Sequence, residues 1–272
     1  MKRTTLGQVR QSRLRKMARR VWIIAAFGLP VHATGGELPV LAAASSLNPA
    51  LIEVARAFTD TTGQSVRLSF GSSGNIARQI FQGAPFELFL SADERHVRAL
   101  VDRSLTLDTG SVYAVGRLVL YVPTRSSVRA DAELRDLTQA LDDGRLRRLA
   151  IPNPEHAPYG VAARQLLEQL GIWQRLDGRL VLGENVAQAA QFATTGSVDA
   201  AILAFSTVLS PVVSQRGKWV PLPEHLHDPI RHRMVLLKRA GHTAQQFYTF
   251  MDTATARQIL NQYGFTNSAA GL

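Results

Sequence analysis

Cysteine is absent from this sequence of 272 residues. The chain can therefore form neither disulfide bonds nor thiolate metal sites, and its stability must come from a hydrophobic core. Long hydrophobic runs are also absent, since no segment has the roughly 18 consecutive apolar residues that a membrane-spanning helix requires. We expect a mature protein without a membrane span, long enough to form two domains of ordinary size.

Acidic residues are absent from positions 1–33, which hold eight of the 31 basic residues. The rest of the chain has 23 basic and 21 acidic residues and is close to neutral, although the formal net charge of the whole is +10. Nucleic-acid binding needs basic residues concentrated on the folded domain. The charge distribution therefore gives no support for a nucleic-acid partner.

The basic N-terminus leads into a short apolar segment, residues 21–31, which ends in the small residues of Val31-His32-Ala33. This order is typical of a secretory signal peptide cleaved after Ala33. The alternative is a basic arm followed by a core helix, but Gly28 and Pro30 would break that helix early. We therefore predict that residues 1–33 form a signal peptide for the general secretory route.

Apolar runs alternate with segments of helical periodicity along the rest of the chain. Strands are expected at residues 39–44, 66–70, 86–90, 118–122, 149–151, 180–182, 200–205 and 234–237. Most are followed by a polar turn and then by apolar residues at helical spacing. Successive strand and helix units of this kind predict an α/β protein with parallel sheets.

Several of these strands end in serines immediately before a helix, with Ser45-Ser46 and Ser72-Ser73 as the clearest cases. The first N–H groups of a helix have no partner inside it, and the helix dipole places partial positive charge there. An oxyanion could be held at such places without a cationic side chain. Each serine could instead be a simple helix cap.

Enzyme and metal motifs are sparse. Residues 71–74 read Gly-Ser-Ser-Gly, which is not the Gly-x-Ser-x-Gly nucleophile elbow, and no phosphate-binding loop occurs. Glu155-His156 could be an acid/base pair, although a solvated turn is favoured. A possible metal cluster, for which a polar loop is the favoured interpretation, consists of His225, His227, Asp228 and His232.

Four segments, in order and with similar spacing, resemble the periplasmic molybdate-binding proteins of bacterial ABC importers. They are AAASSL at 42–47, FGSSGNIARQI at 70–80, GAPFELFLSAD at 83–93 and PNPEHAPYG at 152–160. The resemblance extends to QYGF at 262–265 and covers almost the whole chain after residue 33.

The resemblance implies a type II periplasmic-binding-protein fold, with two α/β lobes of mostly parallel sheets joined by two crossover segments. It places the discontinuous first lobe at residues 34–114 and 225–272, and the second at 115–224. It further implies an exported periplasmic monomer that captures molybdate, and also tungstate, between the lobes. An inner-membrane ABC permease with its ATPase would then receive the anion. Neither a cofactor nor catalysis is expected.

The family's binding residues can be transferred position by position. Ser45 and Ser73 match serines that donate through hydroxyl and main-chain N–H groups, and Tyr159 and Val186 match main-chain donors. Molybdenum would be bound only as the oxyanion, with no protein atom on the metal. Some members use a tyrosine hydroxyl at a fifth position, where this chain has Ala204. The missing donor could come from Ser206 or from Tyr159 turned inward.

Three alternatives stay open at this stage. The same fold could bind sulfate or another small anion, since molybdate and sulfate share charge and shape. A protonated phosphate is disfavoured because no carboxylate acceptor sits at the matched positions. A hydrolase using Ser45 or Ser73 as nucleophile is a second alternative, and a ligand-sensing domain of a regulator is a third.

Overall fold

The computed structural model describes residues 37–266, so the predicted signal peptide at 1–33 lies outside the described residues. The strands are β1 (Val40–Ala44), β2 (Arg67–Gly71), β3 (Leu88–Ser91), β4 (Ser111–Gly116), β5 (Leu118–Pro123), β6 (Leu149–Pro152), β7 (Leu180–Gly183), β8 (Ala200–Ala204), β9 (Gly217–Pro221) and β10 (Ile230–Leu236). The α-helices are α1 (Asn48–Thr62), α2 (Ser73–Phe81), α3 (Arg95–Asp102), α4 (Arg135–Asp142), α5 (Pro158–Gln169), α6 (Val186–Thr194), α7 (Phe205–Val208), α8 (Pro211–Ser214), α9 (His242–Phe250) and α10 (Ala254–Gln262). Within this range, no helix has the length and apolar character needed to cross a membrane.

The strands form two five-stranded sheets, one in each of two α/β lobes. The first sheet has the order β2-β1-β3-β10-β4 and the second the order β7-β6-β8-β5-β9. Three neighbouring strands in each sheet are parallel, whereas the two strands on the other side pair in antiparallel fashion. The expected two-lobe architecture is confirmed, with a parallel core in each mixed sheet.

The chain crosses between the sheets twice. It leaves the first sheet after Gly116 and returns to it at Ile230, the residue that pairs with Gly116 in the β4–β10 ladder. β4 thus continues two residues beyond the predicted lobe limit at residue 114. Neither β4 nor β9 is among the strands predicted from the sequence, and both lie at sheet edges. In β9 only Trp219 and Val220 are adjacent apolar residues before Pro221, whereas β4 contains the short apolar run 112–115, which the predicted strands do not include.

One crossover is held in place by a contact between an arginine and an aromatic ring. The Arg117 guanidinium lies 4.5 Å from the ring centroid of Phe205, and its Nε donates to the main-chain oxygen of Gly264 at 3.3 Å. Gly264 has a φ of 78°, and a Cβ atom there would lie 2.5 Å from the Phe205 ring. Glycine is therefore required at this position by both backbone conformation and space.

The parallel strands determine where the functional residues meet. Four of them, β1, β2, β6 and β7, each run into a turn and then into a helix that begins close to the strand's carboxyl end. In open α/β sheets the carboxyl ends of the strands form the crevice in which ligands bind. The helix N-termini of both lobes therefore face the seam between the two sheets.

Candidate anion-binding site

The four residues expected to bind the anion, Ser45, Ser73, Tyr159 and Val186, line one small cavity between the lobes. The full lining is Ala44, Ser45, Ser46, Gly71, Ser72, Ser73, Ala92, Ala157, Pro158, Tyr159, Asn185 and Val186. None of these side chains carries a formal charge. Hydrogen-bond donors at this place must therefore be hydroxyl, amide or main-chain N–H groups.

Three of the matched residues occupy the first turns of helices. Ser73 begins α2, Val186 begins α6, and Tyr159 is the second residue of α5. N–H groups at these positions have no acceptor inside their helix. At α6 the Asn185 side chain accepts from the N–H groups of the two residues after Val186, at 2.9 and 3.2 Å. The Asn185 cap does not bond the Val186 N–H, which therefore remains available to a ligand.

The Ser73 hydroxyl is fixed in a donor orientation. Its side chain is fully buried, and its Oγ accepts a hydrogen bond from the main-chain N–H of Ala92 at 2.9 Å. Because the oxygen already serves as an acceptor for a rigid main-chain group, its proton is available for an anion. Ser73 can thus offer two donors, the hydroxyl and its own main-chain N–H.

Ser46 is a further candidate donor. The family resemblance did not assign it to the site. Its side chain is 1% exposed, and its Oγ lacks a hydrogen-bond partner among the described residues. A buried hydroxyl without a partner is costly, so such a group in the lining of a polar cavity suggests a ligand contact. The adjacent serines Ser45-Ser46 were the sequence signal for it.

The two residues predicted for the fifth-donor region do not line the cavity. Ala204 is fully buried at the end of β8 and has no side-chain donor. The Ser206 hydroxyl donates to the main-chain oxygen of Ser46 at 2.6 Å, which is a contact between the lobes. The Ser206 hydroxyl proton therefore bonds to the Ser46 backbone and is not directed into the cavity.

The Tyr159 side chain points past the cavity toward the crossovers. Its hydroxyl lies 3.2 Å from Nε2 of His232, and a Cβ atom on Gly116 would lie only 2.0 Å from that hydroxyl. Burial raises the pKa of Tyr159, and the nearby Ser46 hydroxyl, which is not in hydrogen-bond geometry with it, opposes the rise. The Tyr159 hydroxyl is therefore neutral and paired with a histidine, which leaves the main-chain N–H as the contribution of Tyr159 to the site.

His232 is buried rather than part of a polar loop. Burial lowers its pKa to about 3, with the charge of Asp93 opposing the shift, so the imidazole is neutral near neutral pH. His227 Nδ1 lies 2.8 Å from the main-chain oxygen of Asp228. No group of three or more potential metal-ligating side chains occurs in residues 37–266, so the metal-cluster interpretation of His225, His227, Asp228 and His232 has no support.

The turn at Glu155-His156, expected to be solvated, makes contact with the other lobe. The Gly74 N–H donates to the main-chain oxygen of His156 at 2.9 Å. His156 Nδ1 lies 3.1 Å from the Ser72 hydroxyl, and the His156 side chain is only 13% exposed. This part of the chain therefore joins the lobes beside the cavity.

The cavity itself is narrow. Its volume is about 10 Å³, which is close to the minimum that one water molecule needs. An anion with four oxygens is larger than one water molecule, so it can enter only if the surrounding residues of the two lobes separate. The structure therefore represents a closed arrangement of the candidate site.

Comparisons with known proteins agree with this geometry. The family model for bacterial extracellular solute-binding proteins matches residues 39–266. The molybdate-binding protein ModA of Rhodobacter capsulatus is 35% identical over 241 residues, which cover 88% of this chain and 91% of that protein. ModA of Azotobacter vinelandii is 33% identical over 253 residues, covering 92% of this chain and 97% of that protein.

A solved structure gives the same result. The periplasmic molybdate-binding protein of Azotobacter vinelandii superposes with a TM-score of 0.75 and 29% identity, covering 84% of this chain and 98% of that one. The range of the family model, residues 39–266, includes both lobes and all four strand-to-helix turns that form the cavity. The chain belongs to the bacterial extracellular solute-binding proteins, in the family of the periplasmic molybdate-binding proteins.

Proposed function

We propose that this protein captures molybdate or tungstate between its lobes in the periplasm and delivers the anion to an ABC permease. One observation carries the proposal: the first turns of three helices and four serines line a cavity that has no charged side chain. The relatives that share the fold over nearly their full length are named for molybdate binding.

Neutral donors can hold a doubly charged anion when they replace its water completely. Burying an unpaired charge is very costly, whereas hydrogen bonds to a charged group are about twice as strong as neutral ones. The proposed donors are the main-chain N–H groups of Ser45, Ser73, Tyr159 and Val186 and the hydroxyls of Ser45, Ser46 and Ser73. The Ser46 hydroxyl takes the place of the donor missing at Ala204. Every donor binds oxygen, so no protein atom contacts molybdenum.

Capture and release follow from the position of the site between the lobes. An anion that contacts both lobes stabilises the closed form by its difference in affinity between the closed and open forms. The permease would then bind the closed protein and release the anion as its ATPase opens the lobes. We propose that the protein acts as a monomer without a cofactor, exported by the signal at residues 1–33.

Selectivity among tetrahedral anions is the main alternative within this function. Sulfate has the charge and shape of molybdate but is smaller, so the width of the closed cavity decides between them. A protonated phosphate needs an acceptor such as a carboxylate, and the cavity lining contains none. Molybdate and tungstate rank first in the proposal because the relatives are named for molybdate binding, and phosphate ranks last because the lining offers no carboxylate.

Thermal unfolding with matched concentrations of molybdate, tungstate, sulfate and phosphate tests the proposal. A ligand at about one hundred times its Kd stabilises the folded state by about 2.7 kcal/mol. We expect the Tm to rise with molybdate and tungstate. An equal rise with sulfate would reassign the ligand, and no rise with any of the four would contradict the proposal.

The hydrolase alternative is tested with the same protein. The serine that contacts a histidine is Ser72, at 3.1 Å from His156, rather than Ser45 or Ser73. His156 Nε2 lies 3.9 Å from the Glu184 carboxylate, which is too long for a hydrogen bond. Release of p-nitrophenol from an activated ester at a rate that Ser73→Ala or Ser45→Ala abolishes would support an enzyme instead.

A further inference from the structure

One residue of the second lobe, His156, contacts the N-terminus of α2 in the first lobe through both its main chain and its side chain. Its carbonyl oxygen accepts from the Gly74 N–H at 2.9 Å, and its Nδ1 lies 3.1 Å from the Ser72 hydroxyl. Ser72 is the residue that precedes α2, and it is 3% exposed. These contacts lie directly beside Ser73 and two residues before the α5 turn that contains Tyr159.

A second pair of residues continues the same contact toward α6. The Asn75 side-chain amide donates to the carboxylate of Glu184, and the other carboxylate oxygen lies 3.9 Å from His156 Nε2. Glu184 lies two residues before Val186, the first residue of α6. The N-termini of α2, α5 and α6, which supply the candidate anion donors, are thus joined by one polar patch.

The contact leaves no room for a side chain at Gly74. A Cβ atom there would lie 2.8 Å from the main-chain oxygen of His156 and 2.9 Å from its Cβ, closer than real Cβ atoms approach. Gly74 is not among the residues with a positive φ. Its backbone would accept alanine, so it is the opposite lobe, and not the local conformation, that requires glycine here.

We propose that this patch is an interlobe latch that holds the N-termini of α2, α5 and α6 close together in the closed arrangement of the lobes. The latch consists of Ser72, Gly74, Asn75, His156 and Glu184. His156 is a positioning residue, since it lies outside the cavity lining and acts through the α2 and α5 turns. The latch must open for an anion to enter or leave the narrow cavity of about 10 Å³. This inference rests on the proposed function.

Gly74→Ala tests the latch without changing any anion donor. The loss of the interlobe contacts should lower the Tm of the anion-free protein only slightly, because the higher helix propensity of alanine offsets part of that loss. The new methyl group should keep the lobes apart, so we expect the Kd for molybdate to rise about tenfold to a hundredfold. We also expect faster dissociation, because opening breaks these contacts. Gln79→Ala, on the exposed side of the same helix, is the matched control.

His156 variants separate positioning from general stability. His156→Ala should raise the Kd for molybdate about tenfold, whereas His156→Asn, which can still bond the Ser72 hydroxyl, should stay within about threefold of the unmodified protein. Unchanged affinity and dissociation rate in both Gly74→Ala and His156→Ala would overturn the latch. The latch would also be overturned if, in every variant, the loss of molybdate affinity were proportional to the fall in the Tm of the anion-free protein.

The latch can also be measured without an anion, which separates its failure from that of the proposed function. Because the chain has no cysteine, two introduced cysteines can carry unique labels, one on an exposed residue of α1 and one on α6. The latch predicts a more open distribution of label distances in Gly74→Ala than in the unmodified protein. Identical distributions would overturn the latch, whereas absence of molybdate binding in the unmodified protein would contradict the proposed function.

Discussion

The hydroxyl of Tyr159, in the second lobe, lies 3.2 Å from Nε2 of His232, in the strand where the chain has returned to the first lobe. The two rings meet edge to face, with centroids 5.9 Å apart, and both side chains are buried. The same residue thus offers a main-chain N–H to the cavity and a side chain to the crossover region. Its two roles can be separated by mutation.

Tyr159→Phe should therefore affect stability more than anion affinity. The variant keeps the main-chain donor but leaves Nε2 of His232 without a partner, at a cost of about 1–3 kcal/mol in the free energy of unfolding. We expect the Kd for molybdate to change by less than about threefold, measured by calorimetry beside a denaturant titration. A loss of affinity of tenfold or more would indicate that the Tyr159 hydroxyl itself contacts the anion.

Ser46→Ala should have the opposite effect. Removing a buried hydroxyl that lacks a partner should leave the anion-free protein equally stable or slightly more stable. Loss of a hydrogen bond to a charged group costs about 1.5–3 kcal/mol, so the Kd for molybdate should rise at least tenfold. Ser206→Ala is a useful comparison, because that hydroxyl donates to the Ser46 main chain and not to the cavity. Unchanged affinity in Ser46→Ala would remove Ser46 from the donor set.

Val186→Pro tests a main-chain donor directly. Proline is well tolerated at the first position of a helix, and the preceding Asn185 is already extended, with φ −155° and ψ −179°. The substitution should therefore remove the N–H and little else. We expect a loss of molybdate affinity of tenfold or more, whereas Val186→Ala should stay within about twofold. Equal effects of the two substitutions would show that the side chain, and not the N–H, matters.

The buried His232 predicts a specific dependence of stability on pH. Burial lowers the pKa of His232 from 6.5 to about 3, so the folded protein keeps it neutral while the unfolded chain takes up a proton near pH 6.5. Unfolding between these pH values is accompanied by proton uptake, so the free energy of unfolding falls as the pH drops from 6.5 toward 3.

His232→Gln should reduce that pH dependence. We expect the denaturant midpoint of the variant to fall less between pH 7 and pH 4.5 than that of the unmodified protein. Parallel slopes for the unmodified protein and His232→Gln would contradict the assignment of a neutral buried imidazole.

Much of the architecture was predictable from local pattern. Buried parallel strands such as β1 and β8 are continuous apolar runs, and the turns after them carry the serines that indicate helix N-termini. The edge strand β9 lacks such a run, and the short apolar run 112–115 in β4 is not followed by a turn and a helix as the parallel strands are. Assignment of Ser45, Ser73, Tyr159 and Val186 required the resemblance to a family, because spacing alone also fits simple helix caps.

Contacts between distant parts of the chain could not be predicted. The Ser206 hydroxyl and the Ser46 main-chain oxygen are 160 positions apart, and His156 and Ser72 are 84 positions apart. Such pairs leave no periodic trace in either segment. His156 therefore reads as part of a polar turn and His232 as part of a polar loop, until the two lobes are placed against each other.

A crystal structure of the protein grown with tungstate would locate the anion between the lobes, because the metal gives a strong anomalous signal. We expect one anomalous peak in the cavity between Ser45, Ser73, Tyr159 and Val186, with main-chain N–H groups and serine hydroxyls directed at its oxygens. A peak at another place, or none at a tungstate concentration that saturates the protein in solution, would contradict the proposed function.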